Sequence, residues 1–150
     1  GTPFRRAIEE KLIDTSAYVQ IGIRGPTAGP QDYKDALALG AHMITIDEAL
    51  RIGTESILKE IKQRIGNKPT YVTLDIDSID PAFAPGTGTP EVGGFSSYQM
   101  LQMLRGLQSL NLVGFDLVEV SPPFDHSNIT AILAANLAFE FLSLVAVAKT

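Results

Sequence analysis

The chain has 150 residues, of which 45% are hydrophobic, which is enough for one sizeable core and too few for two typical domains. Its net charge of -5, without a dense Lys/Arg cluster, argues against nucleic acid as a partner. The sequence contains no cysteine, which excludes disulfides, thiolate zinc sites and cysteine nucleophiles and agrees with a cytoplasmic location.

Four short apolar segments are predicted to be β-strands. Each is rich in branched side chains and is bounded by turn-forming residues. The segments are residues 17–24, 42–46, 70–76 and 112–120.

Amphipathic helices are predicted between these strands. One runs from Thr54, as N-cap, to Ile65 and is ended by Gly66, and another runs from Ser96 or Ser97 to about Leu110. Strands separated by helices of this length indicate an α/β fold, in which a parallel sheet lies between two helical layers. We therefore expect a three-layer α/β/α architecture.

The last apolar segment, residues 129–148, has nearly the length of a membrane span. Asn136 and Glu140 argue against a span because they are four residues apart and share one face of a helix. We predict a helix that is buried against the sheet, without membrane contact.

Two aspartates follow the third predicted strand directly. Asp75 and Asp77 lie at its carboxyl end, where parallel sheets bind ligands, and residues i and i+2 of a strand point to the same side. Adjacent buried carboxylates repel each other, so a hard divalent cation such as Mn²⁺ or Mg²⁺ between them is one explanation. Asp-x-Asp also occurs in sugar-nucleotide transferases and phosphatases, and such pairs can simply cap turns. Asp80, before Pro81, is expected to stabilise a turn.

The segment DIDSIDPAFAPGTGTPEVGG, residues 75–94, resembles the carboxyl-terminal signature of the ureohydrolases, the arginase and agmatinase family. Four other segments resemble the agmatinase and guanidinobutyrase branch in the same order: GTPFRRA, VQIGIRG, DLVEVSPPFD and TAILAANLAFE. The resemblance covers essentially all 150 residues. It implies that residues 1–150 are the carboxyl-terminal part of a single domain with the arginase-like fold, which acts on a small guanidino compound and assembles into trimers or hexamers.

The resemblance also implies a reaction and a set of site residues. The expected activity is hydrolysis of agmatine to putrescine and urea with two Mn²⁺ ions, and the alternative substrate is 4-guanidinobutanoate. Asp75 and Asp77 match the family's metal ligands, and Glu119 and Thr89 match residues at the substrate pocket. The residues themselves agree, since a carboxylate such as Glu119 at a strand end can accept a planar guanidinium bidentately.

Parts of the family pattern are absent from this sequence. The upstream Gly-Gly-Asp-His and Asp-Ala-His-x-Asp segments, which carry the other metal ligands, do not occur. The family's substrate histidine precedes the position of Gly1, so the general acid is expected upstream of Gly1. His126 is a candidate substrate contact, whereas His42 is expected to be a packed or half-exposed histidine.

Two hypotheses of different class follow from these absences. In one, the chain belongs to a complete enzyme, and the 150 residues alone are inactive. In the other, it is a truncated relative that binds metal weakly or packs against partners. A third interpretation, an unrelated Asp-x-Asp transferase, is disfavoured because GTGTP lacks the lysine and helix start of a phosphate loop.

Overall fold

The computed structural model describes residues 2–27 and 29–147. Gly1 and Ala148, where the first resembling segment begins and the last helix was predicted to end, lie outside these residues. The described strands are β1 (Val19–Ile23), β2 (His42–Thr45), β3 (Thr70–Asp75) and β4 (Leu112–Val118). The described helices are α1 (Thr2–Glu9), α2 (Pro30–Ala38), α3 (Ile46–Ile65), α4 (Ser97–Gly106) and α5 (Ile129–Val147).

All strand pairing between these elements is parallel. β1 pairs with β2, and β3 pairs with β4, so the described residues contain two separate two-stranded sheets. The prediction of parallel strands is confirmed, while the single sheet that we expected is divided into two pairs. In the second pair Thr73 lies beside Asp116, and Asp75 lies beside Val118.

Helix α4 packs against α3 and α5, α5 packs onto one face of the β3–β4 pair through β4, and α3 packs onto β1 and β2. The alternation of side chains along β3 places Val72 and Leu74 on this face, and the Phe115 and Phe141 rings stack there at 4.5 Å. Tyr71, on the opposite face, is 60% exposed. The α/β class is thus confirmed, and within the described residues this second face of β3 and β4 is open.

The third helix begins earlier than predicted. Thr45 is its N-cap, and the hydroxyl of Thr45 accepts a hydrogen bond from the Glu48 N–H at 3.4 Å. Gly53 has φ 80° and kinks the helix directly before Thr54, the predicted start. The prediction of the end is confirmed, since Gly66 follows Ile65 with φ 60°.

The fourth helix begins as predicted and ends early. Ser96 caps it in a reciprocal pair with Gln99, because each side chain accepts the other residue's backbone N–H. The α-helix ends at Gly106, and residues 107–109 continue as a 3₁₀ turn.

Helix α5 is buried on one side rather than all round. Thr130, Leu137, Phe141 and Leu144 are buried, whereas Ile132 and Phe139 are 59% and 67% exposed. Glu140 pairs with Arg105 of α4 across the helix layer. By length and composition α5 is the one described helix that could cross a membrane, although core helices of soluble proteins meet the same criteria.

Candidate active site

The two candidate metal ligands lie where β3 ends. The strand stops at Asp75, one residue earlier than predicted, and residues 76–78 form a 3₁₀ turn. The argument from strand alternation was therefore wrong for Asp77. The turn nevertheless brings the two residues together, since Asp75 Oδ1 accepts the backbone N–H of Asp77 at 3.1 Å.

The electrostatics of Asp75 reflect a cluster of three carboxyl groups. Its pKa is raised to about 6, mainly by burial and in addition by the neighbouring carboxylates of Asp77 and Glu119, while the hydrogen bond from the Asp77 N–H lowers it. Glu119, which directly follows β4, is thus close enough to raise the pKa of Asp75. The three predicted carboxylates form one acidic site.

The loop after β3 carries Thr89 to this site. Its hydroxyl donates to Asp77 Oδ2 at 2.8 Å, so the predicted substrate residue directly contacts a predicted metal ligand. Asp80 closes the loop by accepting the N–H groups of Ala82, Gly93 and Gly94 at 2.8, 2.7 and 3.1 Å. These N–H groups lower the pKa of Asp80. The prediction that Asp80 stabilises a turn is confirmed.

Glu119 follows β4 directly and has an unusual backbone. Its φ is 66°, in the left-handed region, which non-glycine residues adopt at a cost and which is concentrated at functional sites. Its side chain is exposed. An exposed carboxylate on a strained backbone, at the carboxyl end of a parallel strand, is suited to binding a cationic group.

Contacts between two loops hold Glu119 beside the β3 loop. The N–H of Ser121 donates to the Gly86 carbonyl at 2.8 Å, and the N–H of Gly86 donates to Thr130 Oγ1 at 2.8 Å. Thr87 and Val120 form an isolated antiparallel bridge. These bonds connect the segment with Asp77 and Thr89 to the residues on either side of Glu119.

The two histidines differ in their surroundings. His42 Nε2 lies 3.2 Å from Glu60 Oε2 and its side chain is 37% exposed, which confirms the expected half-exposed structural histidine. His126 is exposed and lies just after Asp125, whose carboxylate accepts the N–H groups of Thr130 and Ala131 at the start of α5. Its role as a substrate contact stays a prediction.

The donor groups of this site fit one side of a hard-cation site. Asp75 and Asp77 offer carboxylate oxygens in a half-buried place where their mutual repulsion favours a cation. Among residues 2–27 and 29–147 no group of three His, Cys, Asp or Glu side chains is arranged to hold a metal ion. Two carboxylates fit manganese as partial ligands and do not complete a site.

The sequence of residues 1–143 matches the model of the arginase family. The chain belongs to the arginase family. It is 53% identical to the guanidinopropionase of Pseudomonas aeruginosa, over 97% of this chain and 46% of that protein. It is 46% identical to the mitochondrial agmatinase of Gallus gallus, over 100% of this chain and 44% of that protein.

A solved structure shows the same fold. The proclavaminate amidino hydrolase of Streptomyces clavuligerus superposes with a TM-score of 0.93 at 48% identity, covering 98% of this chain and 49% of that one. The arginase-like α/β fold is therefore shown. This arginase-family chain spans about half the length of the relatives that it matches.

Sequence reasoning missed one residue at the site. Arg24, directly after β1, donates to the backbone carbonyl of Asp77 at 2.5 Å. Its segment, VQIGIRG, was recognised as similar to the family, but nothing in the local pattern indicates a contact 53 residues further along the chain.

Proposed function

We propose that this chain supplies the guanidinium-binding carboxylate and part of the metal-binding site of a manganese-dependent guanidino hydrolase, with agmatine as substrate and putrescine and urea as products. The observation that carries the proposal is the strained, exposed Glu119 beside Asp75 and Asp77 at the carboxyl ends of two paired parallel strands. Membership of the arginase family supports it.

Each residue has a distinct task in this proposal. Glu119 accepts two N–H groups of the planar guanidinium and offsets its charge, which orients the central carbon. Asp75 and Asp77 would hold manganese, which when bound supplies Lewis-acid chemistry and a more acidic water. Thr89 donates its hydroxyl to Asp77 Oδ2 and thereby helps to orient this carboxylate.

Several parts of the proposed enzyme come from outside these residues. The remaining metal ligands and the group that protonates the departing amine are expected upstream of Gly1. A cytoplasmic location and assembly into trimers or hexamers belong to the same proposal for the complete protein.

A second substrate class is favoured by one comparison. The 53% identical relative is named a guanidinopropionase, whose name indicates a substrate that ends in a carboxylate rather than an amine. A guanidino acid such as 4-guanidinobutanoate is therefore the alternative substrate. The chemistry at Glu119 is the same for both, because both present a guanidinium.

The decisive experiment measures urea release by the full-length gene product with Mn²⁺, agmatine and 4-guanidinobutanoate. We expect turnover of one of them and a fall of kcat/KM by roughly 10–100-fold in Glu119→Gln, because the amide cannot accept a bidentate charged pair. Glu55→Gln, an exposed change on α3, is the matched control and should retain activity. Residues 1–150 alone should release no urea.

Three results would count against this proposal. Full activity of Glu119→Gln would remove the role assigned to that residue. Turnover of neither compound by the full-length protein would favour the non-catalytic relative. Turnover by residues 1–150 alone would show that upstream ligands are not needed.

A further inference from the structure

One arginine connects the β1 strand end to the acidic site. Arg24 Nη2 donates to the carbonyl oxygens of Asp77 at 2.5 Å and Glu91 at 2.7 Å, with a longer contact of 3.5 Å to Ile79 O. Its Nε donates to the Glu91 carbonyl at 3.3 Å. A single half-buried guanidinium thus joins the first strand pair to two parts of the loop that follows β3.

The peptide groups that Arg24 holds flank the contact between Asp77 and Thr89. Thr89 Oγ1 donates to Asp77 Oδ2, and Glu91 is two residues beyond Thr89. Arg24 therefore fixes the main chain of Asp77 on one side and the main chain beside its hydrogen-bond partner on the other. Loss of the guanidinium would release both at once.

The surroundings of Arg24 indicate positioning rather than charge pairing. Its hydrogen bonds in the described residues go to main-chain carbonyl oxygens, and Asp80 is near enough for Arg24 to contribute to its lowered pKa. The space is also tight, since a Cβ on Gly94 would lie 2.8 Å from Arg24 Nη2. The guanidinium of Arg24 thus packs directly against the Gly94 main chain.

We propose that Arg24 is a positioning residue of the active site, which sets the direction of the Asp77 carboxylate by holding the main chain at Asp77 and Glu91. Its catalytic consequence rests on the function proposed above. Lysine is a poor substitute, because a single ammonium on a flexible stem does not reproduce the planar fork that reaches two carbonyl groups.

The test compares Arg24→Met and Arg24→Lys with Arg105→Met in the full-length gene product. Arg105 is a matched control, because its guanidinium makes two hydrogen bonds to Glu140 between α4 and α5, outside the site. We expect kcat to fall about 10–100-fold in Arg24→Met, as for other residues that orient metal ligands, with KM changed less than about threefold. Arg24→Lys should recover only part of this loss, and Arg105→Met should keep wild-type kcat.

Amide hydrogen exchange gives a second result that is independent of activity. The N–H groups of Gly93 and Gly94 are bonded to Asp80 in the loop that Arg24 holds. Their exchange should be at least about tenfold faster in Arg24→Met and Arg24→Lys, and unchanged in Arg105→Met. Arg24→Lys provides this measurement if the methionine variant fails to fold.

Two outcomes would overturn the proposal. One is amide exchange at Gly93 and Gly94 that is as slow in both Arg24 variants as in the wild type. The other is a loss of kcat in Arg105→Met as large as that in Arg24→Met, which would indicate a general effect on stability. If the wild-type protein hydrolyses no guanidino compound, the proposed function fails, and the exchange rates alone decide whether Arg24 positions the loop.

Discussion

The residue whose chemistry is most altered by its surroundings is Asp75. Its raised pKa, about 6, means that folding disfavours the ionised form, because the folded chain buries it beside Asp77 and near Glu119. At pH values above the ordinary pKa of an aspartate, the Asp75 carboxylate destabilises the metal-free protein. This destabilisation disappears as the pH falls through about 6 towards 4. The fold thus holds this carboxylate against the cost of its burial and against repulsion from its neighbours, and a bound cation would offset both.

Replacing Asp75 by asparagine should stabilise the metal-free protein. The amide side chain of Asp75→Asn would keep an acceptor for the Asp77 N–H and would remove one charge of the cluster. We expect the melting temperature in EDTA at about pH 7 to rise by roughly 2–4 °C, corresponding to about 1 kcal/mol after solvent screening is allowed for. Calorimetry at about pH 4 should show almost no difference.

The control for this measurement is a surface aspartate with the opposite shift. Hydrogen bonds from Lys68 and Ser16 lower the pKa of Asp14 to about 2. Asp14→Asn should therefore lower the melting temperature at about pH 7. A fall in stability for Asp75→Asn as well would contradict the conclusion that burial and repulsion destabilise the ionised Asp75.

At the scale of elements, the carboxyl ends of the strands and the loops after them build the site. The β3 loop is closed by Asp80, joined to the β4 loop through Gly86 and fixed to the end of β1 through Arg24. The loop is therefore well packed although it is rich in glycine and proline. Its glycines are not equivalent, because an added Cβ would meet other atoms at Gly86 and Gly94 and would have none within 4 Å at Gly88 and Gly93.

Gly94→Ala should be destabilising, whereas Gly88→Ala should not. A Cβ on Gly94 would lie 2.5 Å from the Asp80 backbone N and 2.8 Å from the Ile79 carbonyl carbon, and main-chain atoms cannot easily move aside. We expect a loss of about 1–3 kcal/mol in urea denaturation. Gly88, in the same loop, has no atom within 4 Å of its Cβ position, so its change should be small. Equal effects would show that the crowding at Gly94 has no energetic importance.

At the scale of the whole molecule, two surfaces of the described residues expose large hydrophobic side chains. The outer face of α5 exposes Ile132, Phe139 and Leu142, and β3 exposes Tyr71 on the face away from the helix layer. Large exposed apolar patches are uncommon on monomeric proteins and mark surfaces that associate.

Residues 1–150 expressed alone should self-associate through the outer face of α5. We expect sedimentation velocity at micromolar concentration to show oligomers, and the double change Phe139→Ser and Leu142→Ser to shift them towards monomer without unfolding. Leu137→Ser is the contrasting variant, since Leu137 is fully buried and its change should unfold the chain. A monomeric wild-type chain would contradict the prediction.

Much of the fold could be predicted from local patterns. Branched apolar runs located the four strands of residues 2–27 and 29–147, and the stop at Gly66 and the cap at Ser96 were confirmed. The predicted start at Thr54 coincides with the kink at Gly53, and the helical segment from Ile46 up to this kink was not predicted. Helices α1 and α2 were not predicted, since both are short, with 8 and 9 residues.

By itself the sequence determined the α/β class, the parallel pairing and the identity of the acidic residues, because these follow from local periodicity and from a long motif. Only the tertiary structure decided that Asp75 and Asp77 meet through a 3₁₀ turn, that Glu119 has a left-handed backbone, and that Arg24 holds the loop. Arg24 and Asp77 are 53 residues apart, so local pattern carries no information about their contact. The turn at Asp75 and Asp77 is local, but the apolar pattern of β3 does not show at which residue the strand gives way to a turn.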